Sequence, residues 1–551
     1  MKKNLSSWWD AMDNKVVSFC KKNYYLLTAL LMFLAYPNYN LVLLKAGAAA
    51  AWIAFVPLFV FVKDKKPVDV YLYTFVAGLA GNYLCYYWIG QFGGHVSYGP
   101  AVILLFLIPY RSMFLGVKVL FAETLSRRYG KLGIVIYPSA WILVDWIESI
   151  GFLAFPWSYL GYSQYAFLPF IQVASLTGIL GISFIIVLAN RSLADLWVRR
   201  KSSPSLKHLL RTGEMKVVSV VAALVFACIV YGSIVLLAAK EPQKSDLRVS
   251  TIQSCISPWE NWGSNRFRYL AELERITTES LADNPDLIVW SESATLEGIS
   301  YDYDSGSLND FEKELLGFVR TIDRPLVTGE IGYIDDLEGF IPQRYPLNSA
   351  VYINRFGEVI GNYAKIHLVP FGEWFPYGKW FPFVSEITHQ FGGSDFIPGD
   401  RPLLFEEKGH PFGILICYEG IFYRLCREYK NLGARFFINI TNDGWTDSYS
   451  GHMQHFSASI FRSIENGVWY VRAGNTGFST IIDPYGRIRS SMPILLKGHV
   501  TGDMDFSLNR NTFYSRWGDL VLYAAQVMLA VLVLHYIYGM AKIWKSRRNE
   551  G

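Results

Sequence analysis

Apolar runs near 24–44, 46–62, 69–90, 100–122, 132–149, 168–197, 216–239 and 518–541 constrain this chain more than any other feature. A helix needs about 20 apolar residues to cross a bilayer core, and a backbone in hydrocarbon must close its own hydrogen bonds. The runs therefore predict an α-helical transmembrane bundle of about eight spans. Pro37, Asn38 and Asn40 blur the boundary between the first two runs. The first run does not read as a cleaved signal peptide, because further spans follow at once and no small-residue cleavage site stands out. One long polar stretch interrupts the series. The expected organisation is a bundle of about seven spans over 1–239, a soluble domain over 240–510, and a final span with a basic tail over 511–551.

Only 18% of the 551 residues are charged, against about 25% in soluble domains, while 52% are hydrophobic and 16% aromatic. Basic residues orient the bundle. Lys2, Lys3, Lys15, Lys21 and Lys22 precede the first span, and Lys63, Lys65 and Lys66 follow the second. Arg127, Arg128 and Lys131 follow the fourth, Arg199 to Lys216 carry a cluster after the sixth, and Lys542, Lys545, Arg547 and Arg548 close the chain. The alternate loops at 37–45, 91–99 and 150–167 are nearly free of them. The positive-inside rule puts both termini in the cytoplasm and 240–510 on the outer face, in a bacterium the outer face of the inner membrane. Most of the net charge of +5 is thereby spent beside membrane segments, so no nucleic-acid surface is expected. Cys20, Cys85, Cys228, Cys255, Cys417 and Cys426 form no C-x-x-C pair, which argues against a zinc site or a disulfide scaffold. Cys255 and Cys426 could pair in an oxidising compartment.

Two membrane features carry alternatives. Arg111 lies near the middle of the fourth run, where a charge is expensive. It reads either as a headgroup contact or as the partner of a polar group inside the bundle. The aromatic segment 152–164 reads either as an interfacial belt or as part of a lipid access path.

In the soluble stretch, strand-like runs at 246–253, 286–290, 325–333, 348–353, 358–363, 402–406, 412–417, 435–440, 469–473 and 478–483 alternate with helical patterns near 264–282, 309–322, 419–430 and 451–466. N-R-F-G-E at 354–358 and D-P-Y-G at 483–486 predict hairpin turns. The pattern implies sheets covered by helices around a large core. The irregular, aromatic region 365–400 is long for a loop without function.

Three reactive residues end strand-like runs. Cys417 ends I-L-I-C-Y-E, between a buried strand and a helix, where a helix N-terminus would lower a thiol pKa. Glu292 ends L-I-V-W-S-E, where a general base for that thiol could stand. Lys365 follows a hairpin in Y-A-K-I-H-L-V-P-F-G-E, where an ammonium could stabilise an oxyanion. The plainer readings are an inert buried cysteine and a salt bridge at a sheet edge. Spacing alone does not bring the three together.

These runs resemble the Glu-Lys-Cys signature of the nitrilase (carbon–nitrogen hydrolase) superfamily, and in detail its apolipoprotein N-acyltransferase branch. T-N-D-G-W at 441–445, Q-H-F at 454–456 and F-P-W-S-Y-L-G-Y-S-Q at 155–164 are similar to that branch too. One departure is Ser291, where the family commonly has proline. The resemblance implies a nitrilase-like αββα sandwich for the soluble domain. It implies acyl transfer from a phospholipid, through a thioester on Cys417, to the amine of a diacylglyceryl-modified apolipoprotein. Glu292 would be the base and Lys365 the oxyanion donor, with no cofactor and no metal. It also implies supporting roles for Glu373, Tyr418, Glu419, Trp262 and Asn348, with Glu419 at a helix N-terminus or orienting Lys365, and Trp262 near substrate. A monomer in the bilayer is expected.

His452 and His455 share a helix face, but a catalytic zinc normally takes three protein ligands and no third is evident, so a structural role is favoured. Two rival functions remain: a membrane-tethered amidase or nitrilase acting on a small amide or nitrile, and a transporter with an inactive outer domain. The second would need paired broken helices and several intramembrane charges.

Overall fold

The computed structural model describes residues 22–37, 46–91, 99–336, 343–374 and 396–549. Most of the aromatic loop, most of the 91–99 loop, Asn38 and Asn40 lie outside them. Among the described residues, each apolar run carries helix. The bundle comprises α1 (Leu27–Ala35), α2 (Val56–Val62), α3 (Pro67–Tyr86), α4 (Gly99–Tyr129), α5 (Gly133–Ile147), α6 (Ala174–Ser202) and α7 (Gly213–Ala238). Among the described residues, four helical stretches are long and apolar enough to cross a membrane: Leu104–Ile147, Ala174–Ser202, Gly213–Ala238 and Leu520–Lys545. The first spans most of α4 and all of α5, joined by a tight turn at Gly130–Leu132. Tyr24–Ala35 and Gly47–Val62 are shorter apolar helices.

The second and sixth runs are not single helices. The second splits into a 3-10 turn, Ala46–Trp52, and then α2, whose start carries a proline. In the sixth, Gly178 breaks the helix with φ 66° and ψ −178°. A Cβ there would lie 2.5 Å from the Tyr514 ring, so only glycine fits. The amide freed by this break, Ile179 N, donates to Glu465 at 2.8 Å. Arg111 pairs with Glu148 at 3.0 Å and donates to the Phe155 carbonyl. Lys118 bridges Asp145 at 2.6 Å and Glu148 at 2.8 Å. Of the two readings of Arg111, the internal partnership is the one observed.

Past the bundle the chain forms two six-stranded sheets. The first takes β1 (Leu247–Gln253), β2 (Leu287–Val289), β3 (Leu326–Asp336), β4 (Gln343–Ile353) and β5 (Val359–Ala364). The second takes β6 (Leu404–Glu407), β7 (His410–Ile416), β8 (Phe436–Thr441), β9 (Trp469–Gly474), β10 (Ser479–Ile482) and β11 (Ile488–Met492). The last strand, β12 (Gly498–Met504), returns to the first sheet. The orders are β12-β1-β2-β3-β4-β5 and β11-β10-β9-β8-β7-β6, each parallel at its centre and antiparallel at its edges.

Helices α8 (Trp262–Ser280), α9 (Ile299–Ser305) and α10 (Asp310–Ile322) belong to the first sheet, α11 (Tyr423–Leu432) and α12 (Tyr449–Asn466) to the second. Side-chain alternation sorts the layers. Leu287 and Val289 pack toward the second sheet, while Ile288 and Trp290 pack under α8 and α10 with Leu273 and Leu315. Strands buried on both faces account for the unbroken apolar runs. The result is an αββα sandwich. Helix α13 (Leu520–Asn549) then returns to the bundle, where Tyr129 donates to the Leu532 carbonyl at 2.6 Å.

Strands β11 and β12 and helix α9 have no counterpart among the expected elements. Cys255 and Cys426 are both free thiols.

Candidate active site

Glu292 and Cys417 lie just past the ends of the parallel strands β2 and β7, the usual position for a site in a sheet of this kind, and Lys365 lies past the antiparallel edge strand β5. Glu292 follows β2, and the next residue, Ser293, takes a left-handed φ of 52°. A Cβ on Gly329 of β3 would lie 2.4 Å from Ser293 N, so glycine lets the neighbouring strand approach this turn. Lys365 follows β5, its amide donating to the Asn348 carbonyl at 2.9 Å. Cys417 opens a 3-10 turn, Cys417–Ile421, at the end of β7, with φ 49°. A non-glycine residue held there costs on the order of 1–3 kcal/mol.

The three converge. Lys365 Nζ lies 3.2 Å from Glu292 Oε1 and 2.6 Å from Glu373 Oε1. Asn348 Nδ2 donates to the same two carboxylates at 2.9 and 2.7 Å. Glu292 Oε2 accepts from Asn442 N at 2.8 Å, and Glu373 Oε2 from Val369 N at 2.8 Å. Glu292 and Lys365 are both near enough to act electrostatically on the Cys417 thiol. Burial works against the Lys365 ammonium, but Glu292 and Glu373 outweigh it and hold its pKa above the usual value.

The expected fall of the Cys417 pKa is overturned. Burial pushes the thiol well up, Glu292 adds to the rise, and Lys365 opposes it. No α-helix starts at Cys417, because α11 begins only at Tyr423. The resting sulfur is therefore a neutral thiol that needs a base.

The site lies against the helical bundle. Tyr418 donates to the Ala154 carbonyl at 2.7 Å, and its ring stacks on Trp157 at 6.1 Å. Trp88 and Trp157 both donate to Gln454 of α12, at 3.2 and 3.1 Å. The aromatic segment around Phe155 thus packs directly beside the reactive cysteine.

Comparison with known proteins fits this arrangement. Residues 28–192 match the apolipoprotein N-acyltransferase N-terminal domain, and residues 269–512 match the carbon-nitrogen hydrolase family. An apolipoprotein N-acyltransferase of Geobacter metallireducens is 33% identical, covering 92% of this chain and 93% of that protein. One from Borreliella burgdorferi is 27% identical, covering 88% of this chain and 90% of that protein. The chain belongs to the apolipoprotein N-acyltransferase family. An amidase structure from Nesterenkonia sp. AN1 matches at 18% identity and a TM-score of 0.37, over 51% of this chain and 98% of that one.

Within this apolipoprotein N-acyltransferase family member, Glu419 is a brace. Its carboxylate accepts from Ile416 N and Ile366 N at 2.7 Å each, from His367 N at 3.2 Å and from Tyr363 Oη at 2.8 Å. It ties the cysteine turn to the backbone just after Lys365, and burial pushes its pKa up to about 7. Its contacts fall on both sides: the Ile416 amide at the start of the 3-10 turn, and the Ile366 and His367 amides just after Lys365. Trp262 lies apart from the cluster in its contacts. Its Nε1 donates to Glu297 at 3.1 Å, and its ring packs on Tyr269 and Phe311.

Residues the sequence reading left without roles surround Cys417. Arg472 is fully buried and holds Asp443 at 2.6 Å and Asn439 at 2.9 Å. Arg472 and His455 outweigh burial and hold the Asp443 carboxyl well below the usual range. His455 Nδ1 lies 2.9 Å from Asp443 Oδ1, and its Nε2 lies 3.1 Å from the Cys417 carbonyl. The motifs T-N-D-G-W and Q-H-F contain two of these residues, but nothing in their spacing tells that Arg472 joins them. Cys417, Asp443 and His455 present donor atoms within 4.8 Å of one another. A guanidinium on the carboxylate and a peptide carbonyl on the imidazole account for that proximity.

Proposed function

We propose that this protein moves an acyl chain from a phospholipid to the α-amine of an N-terminal diacylglyceryl-cysteine. Glu292 takes the proton from the Cys417 thiol, and the sulfur attacks the ester carbonyl. Lys365 stabilises the resulting oxyanion. Collapse expels the lysophospholipid oxygen, which takes the proton back from Glu292, and leaves a thioester. The acceptor amine then attacks the thioester and gives its proton to Glu292. Cleavage of the carbon–sulfur bond forms the amide, and the sulfur regains the proton. Glu373 and Asn348 position Lys365 and Glu292, and Glu419 and Tyr418 position the two catalytic loops.

The observation that carries the lipid reading is the seat of the site: Tyr418, next to the cysteine, is bonded to Ala154 and stacked on Trp157 of the bundle. This supports a substrate arriving from the bilayer over a small soluble amide. We also infer a soluble domain over 240–510 on the outer face of the inner membrane, both termini in the cytoplasm, and a monomer. The alternation of basic and neutral loops supports this orientation.

Purified protein given acyl-labelled phospholipid should form a hydroxylamine-sensitive protein label that is absent from Cys417→Ala. Adding a diacylglyceryl peptide should discharge the label onto the peptide. An active wild-type protein that never carries label would sink the thioester route, and discharge to water alone would favour the hydrolase.

A further inference from the structure

Cys417 holds a left-handed backbone without being glycine, with φ 49°. Something outside its own turn has to maintain that, and its carbonyl shows what. Asn439 Nδ2 donates to the Cys417 oxygen at 3.3 Å, and His455 Nε2 lies 3.1 Å from the same oxygen. A carbonyl can only accept, so Nε2 carries a proton whichever role Nδ1 takes. Arg472 stands behind both donors. Its Nη1 donates to Asn439 Oδ1 at 2.9 Å, which turns the amide so that its nitrogen faces Cys417. Its Nη2 lies 2.6 Å from Asp443 Oδ2 and 3.2 Å from His455 Nδ1. Asp443 Oδ1 completes the ring, 2.9 Å from that nitrogen. These residues come from β8, the segment after it, α12 and β9, elements that supply none of Glu292, Lys365 and Cys417.

We propose that Arg472, Asn439, Asp443 and His455 form a clamp on the Cys417 carbonyl that fixes the backbone dihedral aiming the thiol at Glu292 and Lys365. His455 and Asn439 are the two jaws and Arg472 the hinge pin. All four are positioning residues. Relaxing φ to an ordinary negative value would swing the Cα–Cβ bond and carry the sulfur away from its base. Misplacement by about 1 Å can cost on the order of a hundredfold in rate. The lipid readout below rests on the acyl-transfer reading, whereas the alkylation readout does not.

The test uses the full-length protein in detergent and three variants. His455→Leu removes one jaw, and His455→Gln restores a neutral N–H donor of similar reach. Asn439→Asp removes the other jaw while keeping an acceptor for Arg472. Two rates are measured for each: thioester formation from labelled phospholipid, and iodoacetamide modification of the Cys417 peptide by mass spectrometry. His455→Leu should lower both about 10- to 100-fold, with KM for phospholipid within about twofold of wild type. His455→Gln should recover most of the loss, and Asn439→Asp should lose about five- to tenfold. A folded His455→Leu that reacts at the wild-type rate in both assays overturns the clamp. So does a His455→Gln as impaired as His455→Leu, which would mean lost packing and not a lost donor. If His455→Leu does not fold, Asn439→Asp decides: a fall at constant KM supports the clamp, and wild-type rates overturn it. If no variant or wild type takes the lipid label while alkylation follows the expected order, the acyl-transfer reading fails and the clamp stands.

Discussion

Two of the buried ionic clusters among the described residues are built to opposite ends. In the bundle, Arg111 and Lys118 face Asp145 and Glu148 at 2.6 to 3.0 Å, two cations against two carboxylates. In the sandwich, Lys365 alone faces Glu292 and Glu373 at 3.2 and 2.6 Å, one cation against two carboxylates. The first is balanced in charge. The second keeps a surplus carboxylate beside a neutral thiol. A buried charge has to be paired or neutralised. The balanced cluster pairs its charges internally and holds a shape. The unbalanced one satisfies its charge with N–H donors from Asn348, Val369 and Asn442, and so keeps a place for a proton.

The largest effect expected from this contrast is in Glu292→Gln. The amide still offers an oxygen to Asn442 N but no longer takes a proton. Thioester formation should fall about 10²- to 10⁴-fold, with the melting temperature little changed. A variant within fivefold of wild type would mean that the surplus carboxylate is not the base.

Lys118→Met should do the reverse. It leaves Asp145 and Glu148 with only Arg111, and an uncompensated buried charge costs about 3–5 kcal/mol. Stability in detergent should drop by that amount while the alkylation rate of Cys417 in the folded fraction stays the same. The double change Lys118→Met with Asp145→Leu should recover much of the loss. If it does not, the cluster contributes more than charge balance.

The pH dependence of Cys417 sharpens the other half of the comparison. Burial and Glu292 raise its pKa, so the folded state holds the proton more tightly than the unfolded chain. Its contribution to stability is then full below the unfolded value and is lost as pH rises above it. Alkylation follows the thiolate and should climb about tenfold per pH unit through pH 9, where a free thiol of pKa near 8.5 levels off. A plateau below pH 8 would show that the thiol is activated at rest.

Much of this was legible in the sequence. The apolar runs point to the helices, and the strand-like runs point to ten of the strands, most clearly where a strand is buried along its length, as in β1, β2, β8 and β9. Strands β11 and β12 were not legible. I-R-S-S-M and G-H-V-T-G-D-M have no apolar alternation, and pairing with β10 and β1 makes them strands. Glu292, Lys365 and Cys417 stood out because a reactive group ended each run, but their convergence is a property of two sheets packed face to face. The raised thiol pKa is not legible in the sequence, because it comes from burial and from Glu292 across the sheets, and because a single turn, Cys417–Ile421, displaces the helix start to Tyr423. The part of His455 is not legible there, since its partners Asp443 and Arg472 come from other elements.

The smallest effect tests Trp262, where resemblance and geometry part. The resemblance implies a substrate contact, whereas the indole N–H is spent on Glu297, itself also held by Arg266 and Asn309. Replacing it by phenylalanine keeps the ring against Tyr269 and Phe311 and removes one hydrogen bond. Glu297 retains two donors, so no charge is stranded. Trp262→Phe should therefore cost about 0.5–1.5 kcal/mol in stability and leave thioester formation within about twofold. A tenfold fall in kcat/KM at unchanged stability would give Trp262 back to the substrate. It would also show that the site extends beyond the strand ends to the start of α8, on the sheet that carries Glu292 and not on the one that carries Cys417.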